Sequence, residues 1–319
     1  MNALTVSFRH LFRSGRLIWL LYGITLVLGL VAALPFFNAL KVEDQDSPAF
    51  LTLLDGFNYT VYSDFMHRSG RAIAPLLSVG RWLGPVYLLL SVFWAGGILM
   101  RFTQTGPRFD LGTFWQACSH YFGRFMRLFG VTSLFVLAGA GIWLVAGTLV
   151  SIALSDLFTE RGLFWIGLGF FGLFVLTATL LLCIGDFAKV LMFREDERNA
   201  FRAFGQAGRL VLRNLGRTYG LYWLLILTGT GLFAIYFLID DLIPMRNWPT
   251  ILLMFLVQQA LVFGRVALKV GWLGTAYFQY EQLPRPSLRL RSIAPAPLTE
   301  PVYSPATNPN PHEPQAPSA

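Results

Sequence analysis

Three groupings of polar residues in this 319-residue chain are spaced so that they could do chemistry. Asp64, His67 and Arg68 stand at i, i+3 and i+4, which on a helix sets a carboxylate, an imidazole and a guanidinium on neighbouring positions. A carboxylate so placed can orient the imidazole for acid–base work, as a lipid-modifying enzyme would need, yet no nucleophile lies beside it and the same spacing suits a solvated polar face. Gln258, Arg265 and Lys269 fall within about 40° of arc on one helix, forming a polar stripe that either lines a pathway or snorkels and pairs locally. Asp186 is the third feature. Helix depth, at about 1.5 Å per residue, matches it to Lys269, with Arg265 within reach by snorkelling, and predicts a structural ion pair.

The familiar catalytic signatures are missing. The four histidines, His10, His67, His120 and His312, are too scattered for a His-Glu-x-x-His metal site, and no serine has a Gly-x-Ser-x-Gly setting. Cys183-Ile184-Gly185-Asp186 matches half of the Gly-x-Gly-Asp element of membrane aspartyl proteases, without its Tyr-Asp partner. Asp55-Gly56 lacks the further aspartates and arginine of a lipid-headgroup transferase, and no glycine loop with Lys-Ser/Thr cradles a phosphate. Two cysteines, Cys118 and Cys183, make no disulfide framework. The expectation is a non-enzymatic protein with no metal and no cofactor. Asn58-Tyr59-Thr60 is a formal glycosylation sequon that matters only in a secretory compartment.

The elements that must position these residues are transmembrane helices. Only 13% of the chain is charged and 55% is hydrophobic, and the charge is excluded from six runs at about 17–40, 82–100, 128–155, 162–185, 218–239 and 247–264, the sixth helix continuing to about 271 through Arg265 and Lys269. Each run is near or above the roughly 18 residues that cross hydrocarbon as a helix. Trp19, Trp82, Trp165, Trp223 and Trp248 fall near the starts of runs, where an amphipathic ring favours the headgroup layer. Arg9, Arg13 and Arg16 before the first run resemble a signal-peptide flank, but 24 uncharged residues exceed an h-region of about 7 to 15, so a retained helix is expected. With the N-terminus in the cytoplasm, 19 of the 25 Lys and Arg fall inside and 6 outside, the asymmetry of the positive-inside rule. The net charge of +8 therefore reports orientation, and nucleic-acid binding is not needed to explain it.

The fold expected is an all-α, six-helix membrane domain over 1–283 with both termini cytoplasmic, followed by a Pro-rich disordered tail over 284–319 that holds 10 of the 17 prolines. The outer connection from Lys41 to Arg81 is expected to hold one or two short surface helices, while the short links near 155–161 and 240–246 predict tight hairpins. A shift of 90 residues aligns about 113–145 with 203–235, matching Phe114, Ala117, Arg127 and Gly130 to Phe204, Ala207, Arg217 and Gly220. That is read as an internal repeat in which a surface helix leads into a transmembrane hairpin. In the first copy Phe114, Cys118 and Phe125 oppose Arg124 and Arg127; in the second Phe201, Phe204, Ala207 and Val211 oppose Arg198, Arg202, Arg209 and Arg213. Both read as basic helices lying on anionic lipid of the inner leaflet, with Asp110 and Asp196 as their N-caps; the same faces would suit a membrane-protein partner.

Ala95-Gly96-Gly97, the Phe/Ala/Arg segment at 114–127, Gly185-Asp186 and the segment at 201–217 give residues 82–283 a further reading. They resemble a loose group of six-helix bacterial membrane modules, including the membrane domain found beside glycerophosphodiester phosphodiesterases and uncharacterised inner-membrane families. The resemblance implies a non-catalytic module of a bacterial inner membrane, acting as scaffold or partner-binding unit. A small-molecule or lipid transporter is the alternative, and it would require a cavity reaching the stripe of the sixth helix.

Overall fold

The protein is described by a computed structural model covering residues 15–43, 59–60, 63, 70–104, 109–243 and 247–283. Among these the architecture is all helical: α1 (Gly15–Glu43), α2 (Gly70–Thr103), α3 (Leu111–Ala153), α4 (Glu160–Arg194), α5 (Ala200–Arg213), α6 (Leu215–Leu242) and α7 (Trp248–Gln282). All but α5 are long and apolar enough to cross a membrane. The cluster Asp64, His67 and Arg68 and the tail over 284–319 lie outside the described residues.

Helix ends differ from the ends of the apolar runs, and the reason is physical. A charge ends a stretch that suits hydrocarbon, but it does not end a helix, whose backbone stays hydrogen-bonded in water as well. So α2 begins twelve residues before Trp82, and the expected short surface helices give way to this extension over its last part. Likewise α3 runs unbroken for 43 residues, about 64 Å or twice the hydrocarbon thickness, and the separate first surface helix does not exist. Asp110 caps it as expected, accepting from the N–H groups of Gly112 (3.1 Å) and Thr113 (3.2 Å). Asp196 is not a cap. It lies in the turn after α4 with φ of 50°, and Asn199 caps α5 by accepting from Phe201 and Arg202 N–H. In the second aligned segment the chain breaks at Asn214, whose side-chain amide donates to the Leu210 carbonyl, whereas the position 90 residues earlier is Arg124, a straight-chain helix former. The two segments thus bury the same pairs, Phe114 with Phe204 and Ala117 with Ala207, in unlike local structure.

Antiparallel neighbours α3 and α4 meet along Gly139, Trp143 and Gly147, with Trp143 Nε1 donating to Thr177 Oγ1 at 3.0 Å. Helices α6 and α7 meet at Gly229 and Leu268 and at Leu232 and Gly264. The tightest crossing is between α2 and α3. A Cβ on Gly97 would stand 2.4 Å from the Phe114 ring and 2.6 Å from Cys118 Sγ, and one on Gly96 2.8 Å from the Ala117 carbonyl oxygen. Only glycine admits this approach.

The buried core is concentrated at the end that carries Arg124, Arg127, Arg194, Arg198, Arg202 and Arg209, here called the basic end. There Leu99, Phe125, Met192, Val211 and Tyr277 are sealed, while Leu144, Ile152, Trp165, Phe237 and Leu256 toward the opposite end are exposed. Lipid tails solvate an apolar helix surface, so burial is not demanded there; past the hydrocarbon, water demands it. Helix α5 lies at this end with Ala203, Phe204, Ala207 and Val211 buried against α3 and α4. This corrects the lipid-facing expectation for those side chains: protein covers them, as it covers Phe114, Cys118 and Phe125.

Candidate functional site

The site is built around Asp186, two turns before the end of α4. Its Oδ1 accepts from Lys189 Nζ at 2.7 Å, one helical turn onward, and its Oδ2 from Trp272 Nε1 of α7 at 2.9 Å. The Tyr222 ring of α6 meets the Trp272 indole edge to face at 4.0 Å and fixes its plane. The expected pair with Lys269 is therefore replaced. Matching depths across helices left out a lysine at i+3, which reaches the carboxylate without spanning an interhelical gap. Lys269 instead sets its ammonium 4.7 Å from the Tyr87 ring centroid and 5.3 Å from that of Trp94, both on α2. The Arg265 guanidinium lies 4.7 Å from the Phe233 ring of α6. Cation–π contact of this kind is worth about 0.5 to 2 kcal/mol and supplies no salt bridge.

These residues line one cavity of about 460 Å³ between α2, α4, α6 and α7, whose wall includes Ser91, Asp186, Lys189, Thr230, Arg265 and Lys269. A second cavity of about 520 Å³ shares Ser91, Asp186 and Lys189 and continues toward α3, past Thr132 and Ser133. Lys189, Arg265 and Lys269 stand against Asp186 alone, and Asp186 is already committed to Lys189. Two cations on the wall thus have no carboxylate partner among the described residues.

Of the expected stripe, Arg265 and Lys269 reach the cavity and Gln258 does not; Gln258 is exposed about 10 Å further toward the opposite end of α7. Its neighbour Gln259 accepts a hydrogen bond from Tyr22 at 2.8 Å. Sequence reasoning missed Lys189, Ser91, Thr230 and Trp272. Only Lys189 carried a signal, the i, i+3 spacing to Asp186; the others required the helix packing.

The six arginines expected on the inner leaflet separate into three groups. Arg124 is bound by Asp196, and that contact, a hydrogen bond first and charge attraction second, holds the Asp196 carboxyl below the usual carboxylate range. Arg127 and Arg198 flank a shallow hollow with Glu197 and Phe201. Arg202, 3.9 Å from Glu197, and Arg209 and Arg213 are exposed on α5. The Asp110 carboxyl is also held low, by the Thr113 hydroxyl and then by the two capped N–H groups. Both cysteines are free and buried, and no group of three potential metal ligands occurs among the described residues.

With this geometry in hand, the chain was compared with protein-family models, with curated proteins and with solved structures, and nothing matches. Among the described residues six helices are long and apolar enough to cross a membrane, as in an integral membrane protein, and four of them line a partly open cavity with three basic side chains on its wall.

Proposed function

We propose that this protein is a non-enzymatic, multi-pass membrane protein that holds or passes an anionic ligand in the cavity between α2, α4, α6 and α7. This favours the transporter alternative over a pure scaffold, since a cavity reaching the stripe of α7 is the feature a transporter requires. The observation that carries it is a pair of cations without a salt bridge, Arg265 and Lys269, on one cavity wall whose single carboxylate, Asp186, is bonded to Lys189. Two basic side chains turned into an interhelical cavity near the edge of the hydrocarbon, instead of snorkelling out to water, suit a ligand that brings negative charge.

The basic bias of the loops supports cytoplasmic termini, and a bacterial inner membrane is the setting the sequence resemblance implies. A second contact has its own support: exposed Phe201 beside Arg198 and Arg202 would suit anionic lipid or a membrane-protein partner. The test of the cavity is ligand-induced stabilisation. Purified protein is heated with a panel of phosphate, sulfate and carboxylate ligands, soluble and lipidic, beside an Arg265→Gln/Lys269→Gln variant. At least one anion is expected to raise the wild-type midpoint and not that of the variant; a panel without effect on either would remove the reading.

A further inference from the structure

We infer that the ligand is a phospholipid with an anionic phosphate headgroup, taken sideways from the basic-end leaflet through the gap between α2 and α6; this rests on the cavity reading above. Depth is the first argument. Counting about 1.5 Å per residue from the opposite end, Arg265 lies about 26 Å and Lys269 about 32 Å along α7 from Trp248, and Asp186 about 39 Å along α4 from Glu160. Hydrocarbon is about 30 Å thick, so the cations stand where the phosphates of that leaflet lie.

Access is the second argument. Toward the basic end Leu99, Phe102, Met192, Leu273 and Tyr277 are buried, and the space past Asp186 narrows to a cavity of about 20 Å³ beside Thr218, Trp272 and Gln279, room for no more than a water. Helices α2 and α6 both line the cavity yet scarcely touch each other, the cavity is only partly enclosed, and the lipid-facing sides of both helices are apolar, with Leu88 and Leu227 exposed. A ligand using that opening must carry apolar surface of its own.

The lining is the third argument. Arg265 and Lys269 with the Ser91 and Thr230 hydroxyls offer charge-assisted donors suited to phosphate oxygens, while Leu225, Ile226, Phe233 and Leu268 provide an apolar rim for the first carbons of acyl chains. Two cations match a phosphomonoester better than a diester, so phosphatidic acid is the natural probe.

The experiment uses the full chain in neutral detergent with a photoreactive amino acid placed at Ile226, on the apolar rim, and a labelled phosphatidic acid. Cross-linking is expected, displaced at least tenfold more effectively by unlabelled phosphatidic acid than by phosphatidylcholine. It should fall about tenfold in Arg265→Gln and in Lys269→Gln and stay unchanged in Arg209→Gln. The probe at Ile226 leaves every charge and hydroxyl of the site intact, so the displacement measurement stands whether or not a charge variant folds. If glycerol 3-phosphate displaces the label as well as phosphatidic acid does, lateral lipid capture is refuted and a soluble anion takes its place. If neither displaces it, and the label is indifferent to Arg265 and Lys269, the lipid inference and the anion cavity both fall.

Discussion

Replacing Asp186 by asparagine removes the one carboxylate from a wall that also carries Lys189, Arg265 and Lys269. In the native protein Asp186 and Lys189 side chains are only about one fifth exposed, 20% and 23%, so solvent screens the pair weakly. Asp186→Asn leaves Lys189 without its partner and weakens a charge-assisted bond from Trp272, each worth about 1.5 to 3 kcal/mol. The expected loss is thus about 2 to 4 kcal/mol. A double-mutant cycle isolates the pair: with Lys189→Gln added, the combined loss should fall short of the sum by about 1 to 3 kcal/mol, whereas with Lys269→Gln the two losses should come close to adding. Unfolding in mixed micelles by a denaturing detergent supplies the free energies. Strong coupling of Asp186 to Lys269, with additivity toward Lys189, would refute the arrangement of the site.

Other expectations follow from the same contacts. Gly97→Ala should cost about 1 to 3 kcal/mol, because the new methyl meets the Phe114 ring and Cys118, while Gly141→Ala, which faces open space, should be close to neutral; thermal unfolding separates them. The Asp196 carboxyl is held below its unfolded value, so the stability it gives with Arg124 is complete above the ordinary carboxylate range and declines as pH falls through the lowered folded value. Asp196→Asn should abolish that part of the acid dependence, and salt should weaken it in the wild type. Trp272→Phe keeps the ring against Tyr222 but loses the bond to Asp186, and about 1 to 2 kcal/mol of stability should go with it. For topology, a cysteine at Thr60 or Leu157 should react with an impermeant reagent added outside cells, and one at Gly112 should not.

The membrane fold was legible because its signal is composition over long stretches: six charge-free runs in a chain with so little charge have few soluble explanations. Helix ends were not legible in the same way. The apolar run stops at Leu128 on one side, yet α3 starts at Leu111, since hydropathy marks where lipid stops and capping marks where helix stops. Asp110 and Asp196 illustrate the limit: both are acidic residues before a basic amphipathic segment, but only Asp110 is followed directly by helix, and Asn199 does that work for α5. Most of the apolar positions in 114–125 and 201–211 are buried, but Phe201 is exposed and Arg124 is largely covered where it meets Asp196, so periodicity divides the faces only in part. What lay against them was beyond periodicity, because lipid and a neighbouring helix present the same chemistry to Phe or Ala. At the site, Arg265 and Lys269 were found from spacing on a single helix. Their relation to Ser91 and Thr230 depends on how α2 and α6 are set around α7, and no local pattern encodes it.

The central claim is that Arg265 and Lys269 meet an anion in a cavity that opens to lipid. Electron cryomicroscopy of the protein in nanodiscs containing phosphatidic acid tests it most directly. The expected map has a phosphate-sized density within hydrogen-bond distance of Lys269 Nζ and the Arg265 guanidinium, with chain-like density leaving between α2 and α6 and Asp186 still joined to Lys189. A closed cavity with Lys269 turned onto Asp186 and no density beside Arg265 would contradict it.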